Sequence, residues 1–172
     1  MAVLNPASVP LSLYIHMPWC VRKCPYCDFN SHAVPDGALS AELEQTYLKA
    51  LVADFETQVE MAQGRSIHSV FIGGGTPSLI SAKGYAWLFE QLKSLLNFED
   101  DCEITLEANP GTLEHDPFAG YLEAGINRLS IGVQTFNTDH LQKLGRIHSA
   151  NNAMDAIEQA RRAGFKRVNV DL

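Results

Sequence analysis

Long apolar runs are missing from this chain. None of its 172 residues belongs to a stretch approaching the roughly 18 apolar positions that a membrane-crossing helix needs. Basic residues are scarce as well. Thirteen Lys and Arg stand against 20 Asp and Glu, a net charge of −7, which excludes a nucleic-acid clamp built on a basic face. Residues 1–10 carry neither the basic nor the apolar region of a secretory signal, so the expected compartment is the reducing cytoplasm. No internal repeat or low-complexity tract is visible. Four cysteines are too few for a disulfide scaffold. What is present is an ordinary globular composition, 46% hydrophobic, at a length that suits about one domain.

Short apolar runs alternate with helical patterns. Residues 11–15, 67–72, 102–107, 128–134 and 167–172 are predicted strands. A first helix is expected after Ser40, a good N-cap with Glu42 and Glu44 in the opening turn. Its apolar residues Leu43, Tyr47, Leu51, Phe55 and Val59 recur every four positions, Leu48 and Val52 widen the stripe, and Gly64 stops it. Further helices are predicted over 81–96, 118–124 and 149–163, the last two ended by Gly125 and Gly164. This pattern predicts an α/β fold of right-handed βαβ units on a parallel sheet. Five strands do not close a barrel, and a chain that stops in a strand leaves a bare edge. Residues 1–172 are therefore expected to form the N-terminal part of a larger domain, about four βα units and one strand of it.

In such folds ligands gather beyond the C-terminal ends of the strands. Five polar features fall there: the cysteine loop after the first strand, Gly73-Gly74-Gly75-Thr76-Pro77 after the second, then Glu107, Gln134 and Asp171. An apolar core explains none of them.

Three of the four cysteines are spaced C-x3-C-x2-C, as Cys20-Val21-Arg22-Lys23-Cys24-Pro25-Tyr26-Cys27. Thiolates are soft ligands that select zinc, copper(I) or iron–sulfur clusters. A closed zinc site wants four ligands, which His16 or His32 would have to complete. Cys102 lies toward the opposite end of its strand and reads as a buried, inert cysteine. Three thiolates around a cluster of four irons leave one iron open to an outside ligand. Arg22 and Lys23 ease the gathering of negative charge.

Taken together, Tyr14-Ile15-His16-Met17-Pro18-Trp19-Cys20, the cysteine loop and the glycine motif resemble the radical S-adenosylmethionine (SAM) superfamily. Within it the chain is similar to the branch of oxygen-independent coproporphyrinogen III oxidases and HemW-type haem chaperones. The resemblance implies a TIM-like partial barrel, with Cys20, Cys24 and Cys27 as ligands of a [4Fe–4S] cluster. It implies SAM contacts at Tyr14, Gly74, Gly75, Thr76, Glu107, Gln134, Arg146 and Asp171. Carboxylates and amides suit a sulfonium ligand with a ribose and an adenine, and Arg146 suits its carboxylate.

The oxidases carry a further cysteine two residues past the third cluster ligand, where this chain has Phe29. That departure favours the haem chaperones, so the resemblance implies haem as a ligand, haem-accepting proteins as partners and an electron donor for the cluster. The alternative it implies is radical decarboxylation of a porphyrinogen propionate. A module of another class, a structural zinc site or an electron carrier, is the third reading. No axial haem ligand stands out among His16, His32, His68, His115, His140 and His148.

Overall fold

The computed structural model describes residues 5, 8–34, 38–111 and 116–172. In chain order their elements are β1 (Leu11–Met17), β2 (Trp19–Cys20), β3 (His32–Ala33), α1 (Ala41–Gln58), β4 (Ile67–Gly74) and α2 (Ala82–Leu95). There follow β5 (Phe98–Ala108), α3 (Phe118–Glu123), β6 (Arg128–Gly132), α4 (Thr138–Lys143), α5 (Ala150–Arg162) and β7 (Arg167–Asp171). Five strands form one sheet in the order β1-β4-β5-β6-β7, and every neighbouring pair is parallel. The α/β architecture expected from the alternation is the one observed.

The two faces of this sheet differ in chemistry. Successive side chains of a strand point to opposite faces. Ile15 and Met17, Val70 and Ile72, Ile104 and Leu106, and Leu129 and Ile131 share one face, buried against Leu48 and Phe55 of α1, Leu88 and Leu92 of α2, and Ala153 and Ala160 of α5. At about 25 cal/mol per Å² of apolar surface, this layer is the main source of stability. The alternate residues form the other face: Ser12, Tyr14 and His16, then Phe71 and Gly73, Glu103 to Glu107 by twos, Arg128 and Ser130, and Arg167 to Asp171 by twos. Parallel sheets ordinarily bury both faces. Here the second face is polar.

Local signals set the helix starts as expected. The Oγ of Ser40 accepts from Leu43 N at 3.2 Å, and that of Ser81 accepts from Gly84 N at 2.9 Å. Glu44 on α1 then takes the Ser81 N–H at 2.9 Å and its hydroxyl at 2.6 Å, which locks α1 to the head of α2. Phe55 is buried as its spacing predicts, whereas Leu43 is exposed and Leu48, one step round the helix, takes the interior.

Several boundaries differ from the expectation. β1 continues to Met17 and β4 to Gly74, because ladder pairs His16–Gly73 and Met17–Gly74 extend the sheet into the glycine motif. β5 begins at Phe98, four residues early. β6 ends at Gly132, so Gln134 stands two residues beyond the strand in a left-handed conformation, φ 68°. A turn from Val133 N to Ile131 O and a bond from Gln134 N to Asp171 O at 2.7 Å divert the backbone there. The β2–β3 pair and the six-residue α4 are too short to leave a periodic signal.

The turn after the glycine motif is fixed by two buried tyrosines. Tyr121 donates its hydroxyl to Ser78 O at 2.8 Å and Ile80 O at 2.9 Å, and Tyr85 donates to Pro77 O at 2.8 Å. Tyr121→Phe keeps the ring but leaves buried carbonyls short of a donor. It is expected to lower unfolding free energy by about 1–3 kcal/mol, read as a shift in urea midpoint at unchanged slope.

Candidate functional site

The site begins where two backbones touch. Gly75 N donates to Met17 O and Thr76 N to Trp19 O, both at 2.6 Å, so the glycine turn docks directly on the chain leading into the cysteine loop. Gly74 sits at φ 110°, and a Cβ there would stand 2.5 Å from His16 Cε1. A Cβ on Gly75 would overlap the Trp19 carbonyl. Only glycine has both the conformational reach and the missing volume.

The cysteine loop is held from inside and from both ends. His32 N donates to Pro18 O at 2.7 Å and Val34 N to Cys20 O at 2.9 Å, closing the loop with the β2–β3 pair. Lys23 reaches Phe29 O at 3.0 Å and Ser31 O at 3.3 Å. His16 bonds Asn30 O through Nε2 at 2.8 Å and the Tyr14 hydroxyl through Nδ1 at 2.9 Å. The carbonyl can only accept, so Nε2 carries the proton and Nδ1 accepts from the phenol.

One cavity of about 170 Å³, open on one side, is lined by Cys20, Cys24, Cys27, Gly74, Gly75, Thr76, Glu107, Gln134, Arg146 and Asp171. Ten of the eleven residues singled out in the sequence thus share a wall. Tyr14 is the exception. Its ring stacks on Phe71 at 6.4 Å, its hydroxyl meets His16 Nδ1 at 2.9 Å, and its phenol is pushed up by burial first and by the nearby Glu107 second. The described cysteines are all free thiols, and Cys102 is buried outside this cavity, its thiol pushed up by burial.

Arg146 ties the loop to the strand ends. Its Nη2 donates to Asn109 Oδ1 and Gly132 O, both at 2.6 Å, and its Nη1 faces Cys24 Sγ at 3.6 Å and Tyr26 Oη at 3.5 Å. Its Nε is buried with no partner, an orphaned donor of the kind that a bound acceptor satisfies. Across the cavity, burial raises the carboxyl of Glu107 above its usual range, and nearby Asp171 adds to the shift against a bond from Gly74 N at 3.3 Å. Two carboxylates and a guanidinium around one opening suit a ligand that carries both signs of charge.

The donor set fits an iron–sulfur group. Three unoxidised thiols face one opening, and sulfur is the soft donor such a group takes. Among the described residues no three His, Cys, Asp or Glu side chains close on a single ion. His16, the nearer candidate for a fourth zinc ligand, has both ring nitrogens engaged.

The remaining histidines are scattered. His32 and His140 are exposed, and His68 pairs with Glu99 at 2.7 Å at the far end of β4. His148 is buried beside the cavity and bonds Val133 O at 3.1 Å, its ring held neutral by burial first and by Arg146 second. His115 lies outside the described residues.

Sequence reasoning missed Asn109 and Ser130 among the lining residues, and it named His148 only as one of six histidines of which none stood out. Asn109 was within reach of the period-two rule, since it stands two positions past Glu107 on the same strand path.

The raised Glu107 carboxyl has a consequence for stability. A carboxyl that holds its proton more tightly when folded favours the fold at low pH. That contribution is lost as pH rises from the usual glutamate value of about 4.3 through the folded one. Glu107→Gln is therefore expected to be more stable than the native chain at pH 7 and equal to it below about pH 4. Urea unfolding at the two pH values checks it, and a less stable variant at pH 7 contradicts it.

Comparison with known proteins gives concordant matches. Residues 14–172 match the family model described as Radical SAM superfamily. The chain is 53% identical over 167 residues to the Heme chaperone HemW of Haemophilus influenzae, covering 97% of this chain and 44% of that protein. It is 49% identical over 164 residues to the Heme chaperone HemW of Escherichia coli, covering 95% of this chain and 42% of that one. It therefore spans less than half the length of these relatives. Among solved structures, the coproporphyrinogen III oxidase HemN of Escherichia coli, described as a radical SAM enzyme, aligns at a TM-score of 0.83 with 30% identity. That alignment covers 98% of this chain and 38% of the other.

Proposed function

This chain belongs to the radical SAM superfamily, and from that premise we propose that it is the cofactor-bearing part of a haem chaperone. In this reading it holds a [4Fe–4S] cluster and SAM, binds haem and hands it to acceptor proteins. The observation that carries the proposal is the convergence of three free thiols with Glu107, Asp171 and Arg146 on one cavity.

The chemistry of each group supports a role. Cys20, Cys24 and Cys27 would hold the cluster, which would supply a binding position for SAM and a route for an electron to it. Arg146, already anchored on Asn109 and Gly132, offers its unpartnered Nε to an anionic group. Glu107 and Asp171 crowd two carboxylates at one end, a cost that a cationic ligand relieves. Thr76, whose hydroxyl accepts from Asn109 Nδ2 at 3.2 Å, and Gln134, which accepts from Tyr26 Oη at 3.3 Å, present polar groups to a ribose or an adenine. Gly74 and Gly75 give a ligand access to bare backbone.

The naming of the relatives supports haem delivery over catalysis. Phe29 supports it too. This exposed side chain lines the cavity at the position where the oxidases carry an extra cysteine. The fold likeness to coproporphyrinogen III oxidase favours a second reading, oxidative decarboxylation of a porphyrinogen.

Anaerobic reconstitution is expected to load about four irons and four sulfides per chain. Cys20→Ala abolishes this loading and Cys102→Ala leaves it unchanged. SAM shifts the electron paramagnetic resonance spectrum of the reduced cluster. Incubation with haem gives a stable absorption spectrum, and coproporphyrinogen III yields no decarboxylated product. One zinc without sulfide refutes the cluster, and a decarboxylated product moves the assignment to the second reading.

A further inference from the structure

The residues between α4 and α5 form a short strap that is fixed at both ends. Gly145 stops α4 at φ 67°, its N–H donating to Gln142 O and that of Arg146 to Leu141 O, both at 2.9 Å. Ser149 starts α5, its N–H donating to Asn152 Oδ1 at 2.9 Å while its hydroxyl accepts from Asn152 N at 3.2 Å. Only Arg146, Ile147 and His148 lie between these two stops, and the first and last of them reach the exit of β6.

Their contacts fall on consecutive backbone groups. Arg146 Nη2 donates to Gly132 O at 2.6 Å, His148 Nε2 donates to Val133 O at 3.1 Å, and Gln134 N donates to Asp171 O at 2.7 Å. The residue so enclosed is Gln134, at φ 68°. A left-handed conformation is disfavoured for any residue with a Cβ, and it persists only where the surroundings over-determine it. Here the strap does so from one side and β7 from the other. The Oε1 of Gln134 accepts from Tyr26 Oη at 3.3 Å, so its amide nitrogen is the end offered to a ligand.

His148 is 5% exposed, and its place is made by Gly111 at the exit of β5, where a Cβ would stand 3.1 Å from His148 Cβ. Val133 O can only accept, so Nε2 carries the proton and Nδ1 is a bare lone pair. That atom is buried with no partner among the described residues, which works against the fold. The contribution of this side chain therefore lies in the bond it makes to Val133. Burial first and Arg146 second hold the ring neutral, so it grips the carbonyl without setting a second cation beside that guanidinium.

We propose that His148 is a positioning residue for the SAM site: by holding Val133 O it fixes the left-handed turn that presents Gln134 to the ligand. The inference rests on the SAM reading above and adds a residue that acts on the ligand through Gln134. It separates two duties of the strap. Arg146 faces the cysteine loop as well as the strand ends, whereas His148 bonds only the turn after β6. Loss of the imidazole should therefore loosen the ligand and spare the cluster.

The test uses the reconstituted chain and SAM, with Kd from equilibrium dialysis, the electron paramagnetic resonance of the reduced cluster as a second readout, and circular dichroism and iron content measured alongside. His148→Leu removes the donor, and His148→Asn is too short to reach Val133 O. Both are expected to load iron as the native chain does and to bind SAM roughly tenfold more weakly, the effect of one hydrogen bond. His148→Gln restores an N–H at the reach of Nε2 and recovers most of the affinity. In a Gln134→Ala background His148→Leu adds no further loss, because its route to the ligand is gone. Native SAM affinity in a folded His148→Leu or His148→Asn overturns the assignment. So do losses that add fully to that of Gln134→Ala, a folded His148→Gln as weak as His148→Leu, and loss of iron from the variants. Failure of both His148→Leu and His148→Asn to fold makes the histidine a structural residue and overturns it too. A native chain that holds its cluster but leaves SAM unbound overturns the SAM reading itself.

Discussion

The contact between the glycine turn and the segment leading to Cys20 is the constraint on which the site depends. Two backbone hydrogen bonds of 2.6 Å, from Gly75 to Met17 and from Thr76 to Trp19, join the ends of β1 and β4 beyond their ladder. They exist only because two successive residues have no Cβ. Through them the cysteine loop is referred to the same rigid sheet that carries Glu107 and Asp171. A loop placed by its own closure alone would have no fixed relation to β5 or β7, and thiols and carboxylates would not share a wall.

The sheet itself is asymmetric. Its helix-covered face holds the apolar core and accounts for cohesion. Its other face is free of that duty, and charged and aromatic side chains occupy it in register across all five strands. Function accumulates on the face that stability does not need. The cofactor cavity lies at one end of that face, beyond the C-terminal ends of the strands.

Electrostatics divides the cavity. Arg146 bridges the strand ends and the cysteine loop, and its position near Cys24 places a permanent cation beside sulfur donors. Opposite it, Glu107 carries a cost of burial that Asp171 increases. Such strain is common where a site is shaped for an absent charge rather than for the fold.

Much of this was legible in the residues. Alternation of apolar runs and amphipathic stripes determines the βα order. Ser40, Ser81 and Ser149 determine helix starts, because a cap is a local hydrogen bond. The spacing of Cys20, Cys24 and Cys27 and the glycine run determine which chemistry is available, since donor type and missing Cβ atoms are properties of single residues. Tertiary structure alone decided the rest. Nothing local to Gln134 announces its φ of 68°, which hangs on a bond to Asp171. Tyr14, named with the SAM contacts, stands outside the cavity lining, stacked on Phe71 and bonded to His16. The anchoring of Arg146 on Asn109 and Gly132 and the pairing of Arg128 with Arg167 became visible only when the fold fixed which strands are neighbours. Local preferences act over a few residues, whereas these placements follow from pairings between strands tens of residues apart.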